Sequence, residues 1–286
     1  MTNEYDGKAL LSYNRYLRVR ELIDLQTCLS DPAHHDELLF ITVHQAYELW
    51  FKQILHEIDA GLIAMREDRA PLATRALARV AEIEKLLVAQ IHILETMTPI
   101  NFLSFRDQLN PASGFQSMQF REVEFSSGLK DAGVMRAFRE DEFAHARLRA
   151  RFEAPTVGEE FFALLARRGL DSPPDNASLL EEERRGLYVR RVRAVVEVLM
   201  HFESRYEEFQ LAESLIAHDE FFSLWRYHHI EMVERMLGAK RGTGGSEGVG
   251  YLKTTLGKKF FPELWEARTH LDTTHGEGRC PFAGRA

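Results

Sequence analysis

Two adjacent histidines, His228 and His229, lie in an amphipathic stretch from Asp219 to Leu252, DEFFSLWRYHHIEMVERMLGAKRGTGGSEGVGYL. The stretch runs into a loop with five glycines between Gly242 and Gly250. Imidazole is the commonest protein ligand for transition metals and the side chain best suited to hold or move a proton near neutral pH. The pair is therefore the first place to look for chemistry. On a helix of about 100° per residue, Phe222, Trp225, His229, Met232, Val233 and Met236 fall within an arc of roughly 100°, with His229 near its middle. His228 lands nearer the polar edge, so His229 is the better candidate for a metal or haem ligand facing an apolar cavity. A second histidine, His44, shares a helical stripe with Phe40, Tyr47, Phe51, Ile54 and Ile58. A core histidine bonded to backbone or to a carboxylate would explain either residue alone. Two of them on separate long helices, each among aromatic or Met residues, look more like the walls of a cofactor or ligand pocket.

Spacing tests which metal such histidines could hold. A di-iron bundle needs two Glu-x-x-His pairs and two further glutamates, and only Glu142 to His145 fits. A zinc protease needs His-Glu-x-x-His, whereas His56-Glu57 continues Ile58-Asp59-Ala60. Covalent haem attachment needs Cys-x-x-Cys-His, which is absent. A haem held without covalent linkage needs only one axial histidine and a large apolar slot, and survives by elimination. Cys280-Pro281 offers a thiolate, but in a charged tail it reads as a dispensable terminus.

The glycine loop resembles a nucleotide loop only superficially. It follows a helix rather than a strand and matches neither the Gly-Lys-Ser/Thr ending nor Gly-x-Gly-x-x-Gly. Its glycines let backbone approach a ligand closely, and Thr243 with neighbouring amides can bond an anionic or zwitterionic group. Phe102, Arg106 and Leu109 share one helix face just before a turn at Asn110 to Gly114, a cation beside an aromatic at a binding corner.

These residues must be positioned by helices. Pattern predicts a first helix over 13–29, a long one over 33–68, and a second opening at Pro71 and ending before Pro99 with Leu77, Val80, Ile83, Leu87, Ile91 and Leu94 on its core face. Short helices follow on both sides of the turn at 110–114 and over 131–170. A Pro, Asn and Ser loop at 171–178 leads to a helix over 180–215 that continues to the histidine pair, then short helices at 251–256 and 261–270. No repeat appears. The expectation is an all-α chain in a single helical domain with long antiparallel core helices, the arm at 1–30, the helical body at 31–270 and a mobile tail at 271–286.

The composition sets limits on function. The 286 residues are 45% hydrophobic, ample for a sizeable core, and carry 36 Lys and Arg against 44 Asp and Glu, a net charge of -8. That balance argues against a general nucleic-acid binder. Two cysteines, Cys28 and Cys280, make no disulfide framework or multi-cysteine zinc site, and neither a signal peptide nor a membrane-length apolar run is evident. The expected setting is the cytoplasm, with no nucleic-acid or membrane partner.

Five segments, YNRYLRVREL, SDPAHHDELLFITVHQAYELW, NFLSFRDQLNPASGFQS, FFSLWRYHHIEMVERMLGAKRGTGGSEGVGYL and FFPELW, occur in this order between about residues 13 and 265. Together they are similar to the tryptophan 2,3-dioxygenases, haem-dependent enzymes that open an indole ring. The resemblance implies haem b, ferrous in the active state and one per subunit, enclosed by the helices, with His229 as the axial ligand of its iron and Trp225 and Ser113 beside it. His44 matches the histidine facing the indole N–H, Arg106 the arginine that pairs with the substrate carboxylate, and Thr243 the loop threonine at the amino-acid end. Ser113, Phe40 and Phe102 match substrate-contacting positions; a Tyr at the Phe102 position in some members adds a hydroxyl missing here. Tyr13, Tyr16 and Leu17 match residues that reach into a neighbouring subunit's pocket in a homotetramer. The implied reaction is cleavage of the indole C2–C3 bond of L-tryptophan by O2 to N-formyl-L-kynurenine, the first step of the kynurenine route; a haem or tryptophan sensor without turnover is the alternative.

Overall fold

The computed structural model describes residues 11–174, 180–238, 240 and 249–271, with Tyr251 by its backbone alone. Its elements are helices: α1 Tyr13–Tyr16, α2 Val19–Ile23, α3 His35–Arg66, α4 Ala70–Leu94, α5 Pro99–Arg106, α6 Met118–Ser127, α7 Ala132–Ala137, α8 Glu142–Glu153, α9 Val157–Arg167, α10 Glu181–Met200, α11 Tyr206–Leu237, α12 Val249–Lys253 and α13 Pro262–Ala267. Short 3-10 turns lie at Asp107–Leu109, Gly114–Gln116 and Arg268–His270. No strand occurs among the described residues, and no single helix there is long and apolar enough to cross a membrane.

Three long helices carry the core. The expected α4 face, Leu77 to Leu94, is buried throughout, and Tyr47, Phe51, Ile54 and Ile58 of α3 are buried against it. Each such side chain stabilises the fold by about 1.5–3 kcal/mol on burial. The turn between α3 and α4 has Asp68 at φ 58, with Arg69 N donating to Ala64 O at 2.8 Å to satisfy the end of α3. Arg168 beside α9 donates to the Asp68 carboxylate at 2.7 Å and pins that turn.

Direction matters for the site. Arg79 pairs with Glu57, and Tyr47 donates to Leu87 O at 2.9 Å, so α3 and α4 run antiparallel. Glu84 meets His218, and His92 meets His228, so α4 and α11 run parallel. The N-terminal part of α3 and the C-terminal parts of α4 and α11 therefore gather at one end. There α5 and the segment 107–117 close over them.

Two expected helices differ. The arm is not one helix over 13–29 but α1 and α2, divided by Arg18 at φ 53, and no residue of either is buried. Without a packed face, local propensity alone does not sustain a longer helix. The expected helix over 180–215 is broken at 201–205, because α10 packs on α13 whereas α11 packs on α4. The chain changes partner there, and no Gly or Pro marks the place.

Candidate active site

Between α3, α5, α6 and α11 lies a cavity of about 780 Å³. One wall comes from α3 and α5 and the turn that follows, with Phe40, His44, Phe102, Arg106 and Ser113. The facing wall is α11, with Trp225, His229, Met232 and Met236. His228 does not line it; its ring packs edge-on against His92, with centroids 5.4 Å apart. Of the two histidines it is His229, nearer the middle of the apolar arc, that faces the cavity.

His229 stacks on Trp225, with centroids 5.1 Å apart and planes 14° apart, and its ring makes no hydrogen bond to a described residue. Burial pushes its pKa down to about 4, and the repulsion that a protonated His229 would meet from a protonated His44 acts in the same direction. The ring is therefore neutral near pH 7, with a lone pair available to a metal. His44 faces the open cavity yet is surrounded by protein, and this burial holds its pKa below the ordinary histidine value against the opposing pull of the Phe40 carbonyl and Glu48. His44 Nδ1 lies 2.7 Å from the Phe40 carbonyl oxygen. A carbonyl only accepts, so Nδ1 carries the proton and Nε2 of the neutral ring is an acceptor.

Local structure explains why these side chains sit where they do. Thr98 caps α5 by accepting from Asn101 N at 3.2 Å, Pro99 occupies the first turn, and Arg106 falls in the last. Asn101 Nδ2 donates to Asp36 Oδ2 at 2.8 Å, tying α5 to the start of α3. The aromatic side is preformed: Phe40 and Phe102 stack with centroids 5.6 Å apart, and Phe40 lies 4.0 Å from the His44 ring centroid. Ser113 caps the turn Gly114–Gln116, its Oγ accepting from Phe115 N at 3.3 Å. Glu48 of α3 accepts from Ser117 Oγ at 2.6 Å and from Gln119 Nε2 at 2.8 Å, which fixes the start of α6.

Some of the wall was not foreseen. Arg121 and Glu124 of α6 are buried and line the cavity, joined by an Arg121 Nη1 to Glu124 Oε2 bond of 2.7 Å. An Arg and a Glu three apart on a helix normally read as a solvated face, and only the packing of α6 shows otherwise. Arg226 of α11 donates to Lys258 O at 2.9 Å and places the following segment, of which Leu252 and Thr255 reach the cavity. Tyr13, Tyr16 and Leu17 lie outside this cavity at 75%, 67% and 43% exposure, and Thr243 and Cys280 lie outside the described residues. Glu142 and His145 sit on α8, away from the cavity.

Among the described residues no three His, Cys, Asp or Glu side chains are placed to ligate a common metal ion. The cavity presents single histidines on an apolar background, which suits a prosthetic group that brings its own remaining ligands. The profile of a family described as Tryptophan 2,3-dioxygenase matches residues 2–151 and 169–271. The chain belongs to the tryptophan 2,3-dioxygenase family. It is 46% identical over 269 residues to the tryptophan 2,3-dioxygenase of a Nocardioides species, covering 92% of this chain and 96% of that one. The corresponding enzyme of Serratia proteamaculans is 42% identical over 269 residues, covering 93% and 95%. That of Myxococcus xanthus is 41% identical over 264 residues, covering 91% and 89%. The family membership and the cavity bear on the same residues, since seven expected site positions from Phe40 to His229 line one space.

Proposed function

We propose that this chain uses haem b to open the C2–C3 bond of the indole of L-tryptophan with O2, giving N-formyl-L-kynurenine. The observation that carries the reading is the cavity itself. It sets a neutral histidine on one wall against a histidine, an arginine and two stacked phenylalanines on the other. Its volume lies in the upper part of the range for ligand sites, about 300–1,000 Å³. Haem fits the donors present: His229 offers a nitrogen lone pair in an apolar setting. Arg121 offers a cationic side chain whose buried Nε–H has no acceptor among the described residues, suited to a haem carboxylate.

When bound, ferrous haem supplies the O2 chemistry, and both oxygen atoms end in the product. The chain supplies position. Arg106 presents a planar fork of donors to the substrate carboxylate, a geometry that fixes angle as well as distance. Thr243 in the glycine loop is assigned to the same amino-acid end. Phe40 and Phe102 pack the indole ring, and Ser113 lies where haem and substrate meet. His44 Nε2 accepts the indole N–H, holding the C2–C3 bond toward the reacting centre. Full removal of that proton by a neutral imidazole is unfavourable because an unactivated indole N–H is a very weak acid. Tyr13, Tyr16 and Leu17 are proposed to complete the pocket of a neighbouring subunit in a homotetramer, which agrees with short helices α1 and α2 that have no buried residue in their own chain. The cytoplasm is the proposed setting.

The test is spectroscopic. Purified protein should show a haem band, and reduced protein given tryptophan under air should generate the N-formylkynurenine band. A colourless protein fully loaded with non-haem iron would refute the reading; bound haem without product would mark a sensor.

A further inference from the structure

Three side chains that the reaction does not use form a polar network inside the core. His218 of α11 has Nδ1 2.8 Å from Glu84 Oε1 on α4 and Nε2 2.8 Å from Ser127 Oγ at the end of α6. All three residues are 0% exposed. The arrangement has the connectivity of a Ser-His-acid relay, but none of the three lines the cavity, and a substrate has no access to Ser127. Its role must therefore be sought in what it holds.

Burying such a network carries a desolvation cost that an apolar trio of similar volume avoids. What apolar packing does not supply is direction, because dispersion contacts tolerate small rotations that hydrogen bonds resist. His218 and His229 are eleven residues apart on one helix, which places them only about 20° apart around the axis and about 16 Å along it. Rings connect them. His218 meets Phe222 at 6.3 Å, Phe222 meets Trp225 at 6.1 Å, and Trp225 stacks on His229 at 5.1 Å between centroids. Phe260 stacks on His218 at 5.0 Å, adding a further contact at that end of the ladder.

We propose that Glu84 and Ser127, by clamping His218 to α4 and α6, set the rotation of α11 about its axis and so aim His229 into the cavity. Glu84, Ser127 and His218 are then positioning residues for the iron ligand, an inference that rests on the haem reading of His229. The lever is short but sufficient. Side-chain tips lie about 5–6 Å from a helix axis, so a twist of about 10° moves the His229 ring by about 1 Å. Displacements of that size are enough to change rates.

The experiment compares haem-loaded wild type with Glu84→Gln, Glu84→Leu, His218→Phe and Ser127→Ala. It reads haem stoichiometry, the ferric EPR spectrum, kcat, KM for tryptophan and the unfolding midpoint. Glu84→Gln keeps an oxygen that accepts from His218 Nδ1–H and should match wild type in spectrum and kcat. Glu84→Leu and His218→Phe should retain haem but show several overlapping ferric species, with kcat lowered about fivefold or more and KM within about twofold. Ser127→Ala should show a milder broadening. Wild-type spectra and kcat in folded, haem-loaded Glu84→Leu and His218→Phe would overturn the proposal, as would damage in Glu84→Gln equal to that in Glu84→Leu. If the two apolar variants do not fold, Ser127→Ala decides: a broadened spectrum supports the proposal and a wild-type spectrum overturns it. Failure of the wild type to take up haem would overturn the haem reading as well, which separates the two.

Discussion

Replacing Glu37 by Gln should destabilise this protein by about 2–4 kcal/mol near neutral pH, although charge is the main property changed. Glu37 lies in the first turn of α3 and is 1% exposed. One carboxylate oxygen accepts from Leu29 N at 2.6 Å; the other accepts from Ser30 N at 3.0 Å and from the Ser30 hydroxyl. Burial pushes the Glu37 pKa up, but these hydrogen bonds, aided by the positive field of His34, more than offset it and hold the pKa below the usual carboxylate value. A glutamine keeps one acceptor oxygen and turns an NH2 toward the donors at the other site. At least one backbone N–H is left without an acceptor, at about 1–3 kcal/mol, and the remaining bonds lose their charge assistance, at about 1 kcal/mol. The pH dependence follows from the sign of the shift. A folded carboxyl pKa below its unfolded value contributes stability that is fully present above the unfolded value, near 4.5, and lost as pH falls through the folded one. The difference between wild type and Glu37→Gln should therefore be largest near pH 7 and shrink with each step below about pH 4.5, for as long as unfolding remains reversible. Urea unfolding of both proteins, followed by far-UV circular dichroism, measures it. A difference under about 0.5 kcal/mol near pH 7, the size of an ordinary surface substitution, would refute the argument, as would a difference that does not change with pH. Leu29, held by the same contact, lines the cavity, so weaker tryptophan binding should accompany the loss.

Arg106→Leu should raise KM for tryptophan by roughly 30- to 1,000-fold, the equivalent of about 2–4 kcal/mol, and leave tryptamine, which lacks the carboxylate, nearly unaffected; equal losses for both would refute the assignment. His44→Ser should lower kcat about tenfold, the worth of one orienting hydrogen bond, with tryptophan and O2 still bound, whereas complete loss of turnover would assign His44 an obligatory proton transfer. Asp219 Oδ2 accepts from Phe261 N at 3.2 Å and from Trp265 Nε1 at 2.8 Å. Asp219→Ala leaves a buried backbone N–H and a half-buried indole N–H without their acceptor and should cost about 2–4 kcal/mol by urea unfolding; a loss below about 1 kcal/mol would mean that water replaces the carboxylate.

Helical periodicity is a local property, and for that reason the sequence by itself determined most of the helices, the core faces of α3 and α4, and which of His228 and His229 lies on the apolar face of α11. Helical spacing had already set Phe102 and Arg106 at one binding corner; the segments shared with the family added their roles and Ser113, which lies in a turn without periodic signal. Where elements meet was decided only by tertiary structure. The break at 201–205 exists because α10 and α11 serve different partners, and α4 runs parallel to α11 because more than a hundred residues separate them and leave the chain free to return from either side. Glu84, Ser127 and His218 are spread over 134 residues and carry no spacing that announces them; only packing three helices together brings them within hydrogen-bond range. Likewise Arg121 and Glu124 have the spacing of a solvent-exposed pair and become cavity wall because α6 is covered on both sides. A short-range pattern reports which face a side chain occupies on its own helix, while the identity of what that face meets depends on contacts the chain makes only after it has folded.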